Sequence, residues 1–215
     1  MDVSRETDRP SQETVVAWFG DAAPLADRYA QIVATQGVEQ GLLGPREVGR
    51  LWNRHIMNCV VIHPLIRSGS SVGDVGSGAG FPGIPLALAR PDLRVTLVEP
   101  LLRRSTFLAQ VSQTLALGNV TVVRSRAEDL DPGAFDVVTA RAVAPLERLV
   151  RWTLPLCRPD GEVLAIKGET ASDELAEAAA ALRRRGVRMS AVERCGEGVV
   201  EPATTVVRLS SRRPS

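Results

Sequence analysis

The sequence is poor in several features, and each scarcity excludes a class of protein. Its three cysteines, Cys59, Cys157 and Cys195, lie far apart and form neither a metal-binding pattern nor a disulfide framework. No apolar run approaches the roughly 20 residues that a membrane-spanning helix needs. The opening segment, MDVSRETDRP, is polar and mixed in charge, which is unlike a signal peptide. We therefore expect a cytoplasmic protein with no membrane partner and no bound metal.

Lysine is almost absent from the sequence. Lys167 is the only lysine among 26 basic residues. The 25 acidic residues leave a formal net charge of +1, so nucleic-acid contacts have to come from local clusters. Lys167 follows the apolar segment 163–166. A lysine supplies a compact charge that arginine does not, which suggests a tight site at this position. A chance occurrence is the alternative interpretation.

The apolar periodicity predicts one α/β domain with a mostly parallel sheet. Strands are expected near 71–75, 94–98, 120–124, 135–140, 161–167, 187–194 and 203–209, with the last two forming an antiparallel hairpin. Helices are expected near 83–90, 101–117, 145–157 and 171–185. Three more helices, near 13–19, 24–36 and 46–63, precede the first strand. Gly20 and Gly37 are expected to end the first two.

The stretch 72–85, VGDVGSGAGFPGIP, organises this pattern. After Asp74, its glycines are Gly76, Gly78, Gly80 and Gly83. A strand, a glycine turn and a helix form the layout that brings backbone N–H groups against a nucleotide. Phe81 stands where the dinucleotide fingerprint needs its third glycine, which disfavours a Rossmann dehydrogenase.

Polar residues follow the strands at the edge where an open parallel sheet binds its ligand. Glu99 ends the second strand about 20 residues after the turn, where a carboxylate accepts ribose hydroxyls. A tight turn beside a surface glutamate is the alternative. Ala127 and Glu128 follow the third strand, at positions that resemble those where methyltransferases hold an adenine, although Glu128 also suits a helix cap. Arg141 follows the fourth strand, where its guanidinium suits a carboxylate or phosphate, or simply begins a helix.

These residues resemble the RsmG (GidB) family of bacterial 16S rRNA guanine-N7 methyltransferases, in particular those of actinobacteria. The matching strings, within about residues 20–209, are LWNRHIMNCV, DVGSGAGFPGIPLALARP, LVEPLLRRSTFL, SRAEDL, TARAVAPL and AIKGE. The resemblance implies a class I S-adenosylmethionine (SAM)-dependent methyltransferase fold, Rossmann-like, with a seven-stranded mostly parallel sheet and an N-terminal helical cap. We expect a flexible tail at 1–11, the cap at 12–70, the methyltransferase domain at 71–209 and a tail at 210–215.

The resemblance also implies a reaction, methyl transfer from SAM to N7 of a guanine in the 530 loop of 16S rRNA. The expected partner is the small ribosomal subunit, and the expected state is a monomer. The turn and the family's motifs together give the expected cofactor-binding residues: Asp74, Gly76, Gly78, Gly80, Phe81, Glu99, Ala127, Glu128 and Arg141. Guanine N7 carries a lone pair and no proton, so we expect positioning by Lys167, Arg126 and Arg141 and no general base.

Two alternatives remain open from the sequence, a SAM-dependent small-molecule methyltransferase and a ribosome assembly factor that keeps SAM as a structural ligand. The segment between Gly37 and Val72 is too short and too basic for a typical small-molecule lid. The fourth strand lacks the [D/N/S]-P-P-aromatic tetrad and the Pro-Cys nucleophile, which disfavours methylation of exocyclic amines and of cytosine carbon. His55 is interpreted as a hydrogen-bonded core residue. Asn58 stands where the family often has aspartate, which leaves its role open.

Overall fold

The computed structural model describes residues 8–141 and 144–211, which include one seven-stranded sheet. Its strands are β1 (Ser71–Val75), β2 (Arg94–Val98), β3 (Val120–Val123), β4 (Phe135–Arg141), β5 (Cys157–Lys167), β6 (Met189–Cys195) and β7 (Thr204–Ser210). Their order is β3-β2-β1-β4-β5-β7-β6, with β1 to β5 parallel and β7 antiparallel to both neighbours. The predicted fold class is confirmed. The order reverses between β1 and β4, and such a switch point opens a crevice for ligands.

Helices cover both faces of the sheet. They are α1 (Gln12–Phe19), α2 (Ala23–Ile32), α3 (Asn58–Val60), α4 (Gly83–Ala89), α5 (Leu102–Thr114), α6 (Leu146–Thr153) and α7 (Ala171–Arg184). Alternate strand residues enter opposite cores: Val137 and Leu164 face the N-terminal helices, α4 and α5, whereas Val138 and Val163 face α6 and α7. Within the described ranges no helix is long and apolar enough to cross a membrane.

The predicted helix stop at Gly37 is wrong. A π-helical turn at Val33–Gly37 continues the chain beyond α2, and the Gly37 carbonyl accepts the N–H of Leu42 at 2.7 Å. A Cβ at Gly37 would meet Val33 Cγ1 at 3.4 Å. This glycine therefore allows close helical packing instead of ending the helix.

The single helix predicted at 46–63 is also wrong. The chain forms a 3₁₀ turn at Pro45–Arg50, a π-helical stretch at Leu51–Met57, here called the π segment, and then α3. The Asp8 carboxylate accepts the N–H groups of Trp52 and Asn53, both at 3.0 Å. This distant carboxylate satisfies amides at the start of the π segment, as a cap does, and sequence periodicity does not show it.

Part of the predicted N-terminal tail is anchored. Besides the Asp8 bonds, Arg9 pairs with Asp27 through Nε at 2.6 Å and Nη2 at 2.9 Å, and its guanidinium lies 5.4 Å from the Trp52 ring centre. At the other end, β7 extends to Ser210. Residues 1–7 and 212–215 of the two predicted tails lie outside the described ranges.

Candidate functional site

The glycine turn after β1 uses its glycines for two different purposes. Gly76, Gly78 and Gly80 have φ angles of 73°, 58° and 107°, which side chains rarely tolerate. A Cβ on Gly80 would lie 2.6 Å from Ile84 Cγ1, so this glycine permits packing inside the protein. A Cβ on Gly78 would meet nothing closer than the Gly76 carbonyl at 3.9 Å. Gly78 therefore presents bare backbone to open space.

Asp74 lies beneath this turn and is completely buried. It pairs in parallel register with Thr139 of β4, whose Oγ1 donates to Asp74 Oδ1 at 3.4 Å, and its Oδ2 accepts the Gly83 N–H at 3.0 Å. Burial, the largest influence, raises the pKa of Asp74 to about 7 against the lowering effect of these hydrogen bonds. The sequence places Asp74 among the cofactor-binding residues, whereas the structure places it behind the turn as a support for the backbone.

Gly83 closes the same junction, because a Cβ there would lie 2.2 Å from Leu97 Cδ2 and 2.8 Å from Asp74 Oδ2. Leu97 pairs with Asp74 across β1 and β2, so sheet register brings all three residues to one point. A side chain on Gly83 would push α4 away from the carboxylate that holds its first turn. The start of α4, and with it the shape of the turn, therefore depends on Gly83.

Glu99 follows β2 and is 2% exposed. Its Oε2 accepts the Gly78 N–H at 3.0 Å and its Oε1 accepts the Leu101 N–H at 3.1 Å, while Arg104 Nη1 lies 3.9 Å from Oε2. An ionised carboxylate offers about four lone-pair sites, so these two bonds leave acceptor capacity for a ligand's hydroxyls. Glu99 thus shapes the turn and stays chemically able to bind a ribose.

Ala127 and Glu128 lie after β3 in a 3₁₀ turn, Ala127–Asp129, the first buried and the second exposed. The capping position of this turn belongs to Arg126 and not to Glu128. Together with Gly78 and Glu99, these residues follow the carboxyl ends of three adjacent strands. The open backbone at Gly78 and the spare acceptors on Glu99 fit the adenosine part of SAM.

Two aromatic side chains connect this turn to the N-terminal helices. The Phe81 ring centre lies 5.8 Å from that of Tyr29 and 5.3 Å from that of His55. The Tyr29 hydroxyl donates to the Ala79 carbonyl at 2.9 Å, and burial raises the Tyr29 pKa well above its ordinary value. Sequence reasoning missed this contact. The chain's single tyrosine lies on the apolar face of a helix, and a buried tyrosine hydroxyl needs a hydrogen-bond partner. That pattern could have predicted a contact of this kind.

Arg141, at the end of β4, is anchored to the π segment. Its Nη2 donates to the Arg54 carbonyl at 2.9 Å and lies 3.0 Å from His55 Nδ1, and its Nη1 donates to Cys59 Sγ at 3.3 Å. The guanidinium also lies 5.4 Å from the Phe81 ring centre. Arg141 therefore joins the sheet, the N-terminal helices and the glycine turn. Its roles as a cofactor contact and a catalytic residue stay predictions.

His55 is held as one neutral tautomer by these contacts. Arginine only donates hydrogen bonds, so Nδ1 is the acceptor from Arg141 and the proton is on Nε2, which lies 3.0 Å from Glu47 Oε2. Burial first, and Arg141 next, lower the pKa of His55, while Glu47 opposes them. The interpretation of His55 as a hydrogen-bonded interior residue agrees with this geometry.

A wide cleft of about 1450 Å³ opens beside the ends of β4 and β5. Its charged and amide lining residues are Asp8, Arg50, Asn53, Arg54, Asn58, Arg141, Lys167, Glu169, Glu174, Arg194 and Glu201. Arg50, Arg54 and Arg194 are exposed. The glycine turn does not line the cleft, but Arg141 lines it and also contacts Phe81 of the turn. The arrangement therefore gives two neighbouring candidate sites. The glycine turn lies on one side of the β1–β4 crevice and the cleft lies on the other.

The three cationic candidates are not all brought together. Arg141 and Lys167 line the cleft, whereas the exposed Arg126 follows β3 beside Ala127 and Glu128. The Lys167 side chain is only 7% exposed, and its ammonium donates to the Ala144 carbonyl at 2.7 Å and to Glu174 Oε2 at 2.8 Å. A direct contact between Lys167 and RNA stays a prediction.

Comparison with known proteins points to one family. The family profile "GidB: rRNA small subunit methyltransferase G" matches residues 23–203. "Ribosomal RNA small subunit methyltransferase G" of Streptomyces avermitilis is 54% identical over 202 residues, covering 93% of this chain and 85% of the relative. The protein of the same name from Streptomyces coelicolor is 56% identical over 195 residues, covering 89% of this chain and 81% of the relative.

Solved structures support the fold at low sequence identity. TYW2 of M. jannaschii, crystallised with AdoMet, superposes with a TM-score of 0.57 and 17% identity over 72% of this chain and 74% of that one. The ribosomal protein L11 methylase of Lactobacillus delbrueckii gives a TM-score of 0.56 and 19% identity over 74% of this chain and 77% of that one. These similarities concern the architecture of the sheet and its helices.

Proposed function

Because the chain belongs to the GidB family of rRNA small subunit methyltransferase G, we propose that it transfers the methyl group of SAM to N7 of a guanine in the 530 loop of 16S rRNA. The observation that carries this proposal is the pairing of an open glycine turn with a wide, arginine-rimmed cleft at one edge of the sheet. The turn suits an adenosyl group, and the cleft suits a nucleotide with its flanking phosphates.

Each cofactor-side residue has a proposed task. Gly76 and Gly78 present backbone, Glu99 accepts the ribose hydroxyls, and Ala127 and Glu128 border the adenine. Phe81 packs beside the cofactor, while Asp74 and Gly80 support the turn from within. When bound, SAM supplies a methyl group activated by a positively charged sulfur.

The acceptor side needs positioning and no proton removal. Guanine N7 has a lone pair and no proton, so the residues here have to orient the base in line with the methyl group. Of the chain's two histidines, His55 lies at this junction, and its Nδ1 is occupied by Arg141. Arg126, Arg141 and Lys167 remain the proposed positioning groups for the bound RNA and cofactor.

The cleft favours a macromolecular substrate over a small one. Its volume of about 1450 Å³ exceeds the roughly 300–1,000 Å³ of ordinary small-molecule pockets. The exposed Arg54 and Arg194 pair with Glu47 at 3.4 Å and with Glu197 at 3.3 Å, and ion pairs of exposed side chains are weak. Replacing these two carboxylates by RNA phosphates as partners of the arginines therefore costs little free energy. A base unstacked from an RNA loop would enter between these arginines.

We further propose a setting for this reaction. The chain acts as a monomer on the small ribosomal subunit, which places it in the cytoplasm. Residues 12–70 serve as a cap that supplies one wall of the RNA cleft, and residues 71–209 form the catalytic domain with the SAM site. Of the two expected tails, Asp8 and Arg9 belong with the cap, to which they are bonded, and Ser210 belongs with β7.

The test is methyl transfer from labelled SAM to 16S rRNA, offered as naked RNA and as small subunits from a strain lacking this gene. The proposal expects one labelled N7-methylguanosine in the 530 loop with at least one of these substrates. Label at a different nucleotide, or no label despite measurable SAM binding, would contradict it. The second result would favour the assembly-factor alternative.

A further inference from the structure

Two side chains hold the backbone that follows β4 at two neighbouring points. Lys167 Nζ donates to the Ala144 carbonyl at 2.7 Å, and Glu174 Oε2 accepts the Leu146 N–H at 3.0 Å. The same Glu174 oxygen accepts a hydrogen bond from Lys167 Nζ at 2.8 Å. One ion pair between β5 and α7 therefore grips the chain on both sides of residue 145. We call Lys167 and Glu174 the clamp.

The clamped segment borders the crevice where the reaction is proposed. Ala144 and Pro145 line the cleft, and Arg141, at the other end of the same connection, is bonded to the π segment. The connection between β4 and α6 is thus anchored at both ends, to the N-terminal helices and to α7. Residues 142 and 143 lie between the anchors and outside the described ranges.

The clamp is partly shielded from solvent. The side chains of Lys167 and Glu174 are 7% and 26% exposed, and Thr170 Oγ1 donates to the second carboxylate oxygen at 3.2 Å. Against the effect of burial, hydrogen bonds from Lys167 and Leu146 lower the pKa of Glu174. Removing one member of such a pair leaves the other poorly compensated, so the segment depends on both.

We propose that Glu174 is a positioning residue for methyl transfer, which acts with Lys167 by fixing residues 144–146 at the wall of the cleft. This inference rests on the proposed function. It differs from a direct contact between Lys167 and RNA, because here the ammonium serves the protein backbone. A displaced wall misplaces the acceptor base against the methyl donor, and in-line reactions are sensitive to small misplacements.

The first experiment compares Glu174→Gln with Asp173→Asn under single turnover at saturating SAM and small subunits. Both substitutions remove one negative charge from the first turn of α7, but Asp173 is exposed and does not line the cleft. Glu174→Gln should lower the rate about tenfold or more, the equivalent of one charged hydrogen bond. Its SAM affinity should stay within about threefold. Asp173→Asn should react at about the wild-type rate.

The second experiment is a double-mutant cycle with Lys167→Met. If both residues act through one clamp, the double variant loses about as much rate as the more damaging single variant. If Lys167 contacts RNA independently of Glu174, the two losses multiply, and that result overturns the proposal. Hydrogen exchange adds a direct readout, since the Leu146 amide should exchange faster in either single variant.

A variant with the charge retained protects the test against a folding defect. Glu174→Asp keeps the negative charge at the helix start and withdraws it by one methylene, so it should fold and still lose rate. A folded Glu174→Gln or Glu174→Asp protein with wild-type rate would overturn the clamp. A wild-type protein that methylates no rRNA would instead refute the proposed function, so the two failures are distinct.

Discussion

Replacing Asp74 with asparagine should stabilise the protein at pH 8 and change its pH dependence. The side-chain oxygen of the asparagine would still accept the Gly83 N–H, and its amide would donate to the Thr139 hydroxyl oxygen, which reverses the bond that Thr139 donates to Asp74 Oδ1. The substitution therefore keeps both contacts and removes the charge that forms when Asp74 ionises. Asp74 has no exposed surface, so that charge is poorly solvated.

The direction and the size of the change in the free energy of unfolding follow from the pKa of Asp74. Burial raises the folded-state pKa of Asp74 from 3.8 to about 7, so between these values the unfolded chain releases a proton that the folded chain keeps. The contribution of Asp74 to the free energy of unfolding is therefore undiminished below pH 4 and falls as the pH rises to about 7. At about 1.36 kcal/mol for each pH unit, the loss is at most about 4 kcal/mol.

The assay is urea denaturation of both proteins from pH 4 to pH 8. The free energy of unfolding of Asp74→Asn minus that of the wild type should grow by about 2–4 kcal/mol across this range and level off above pH 7. Subtraction removes the carboxylates shared by both proteins, such as Asp92 and Asp136, whose lowered pKa values act in the opposite direction. If this difference in the free energy of unfolding stays constant with pH, the raised pKa of Asp74 is refuted.

Two further predictions concern packing and RNA binding. Gly83→Ala should lower the free energy of unfolding by about 1–3 kcal/mol in urea denaturation, because its Cβ overlaps Leu97, whereas Gly118→Ala, with nothing within 4 Å, should stay within about 0.5 kcal/mol. Equal losses of stability in the two variants would refute the close contact between Gly83 and Leu97. RNA affinity measured against salt should give a log–log slope of about −2 to −4, from roughly three to five phosphate contacts. Arg50→Ala should make this log–log slope shallower by about 0.7. A wild-type slope near zero would refute the proposal that RNA phosphates bind in the cleft.

The sequence predicted the parts of the fold that depend on short-range pattern. The glycine turn, the proline-opened helix α4 and Glu99 at the end of β2 all follow from residues that lie close together in the chain. Strand alternation in 120–123 and 135–141 likewise located the central sheet to within a few residues. The residues proposed for the cofactor side of the site could therefore be named from the sequence, because they lie on one turn and at three strand ends.

The remaining features depend on partners far apart in the chain. Asp8 satisfies amides at the start of the π segment, and no periodicity in 46–63 reports a carboxylate 44 residues away. Lys167 was noticed as the only lysine, but its bonds to Ala144 and Glu174 depend on tertiary structure, which brings the segment before α6 and the start of α7 to the end of β5. Glu174 was missed because an acidic residue in the first turn of a helix has an ordinary explanation in the helix dipole.

Mass spectrometry of the 530 loop from a deletion strain can test the proposed N7 methylation of a guanine in 16S rRNA. N7-methylguanosine should be present in the parent, absent in the deletion strain and restored by the wild-type gene. A Gly78→Val gene should fail to restore it, because the side chain would enter the open face of the glycine turn, where φ is also unsuited to valine. Modification that persists in the deletion strain would refute the proposed function.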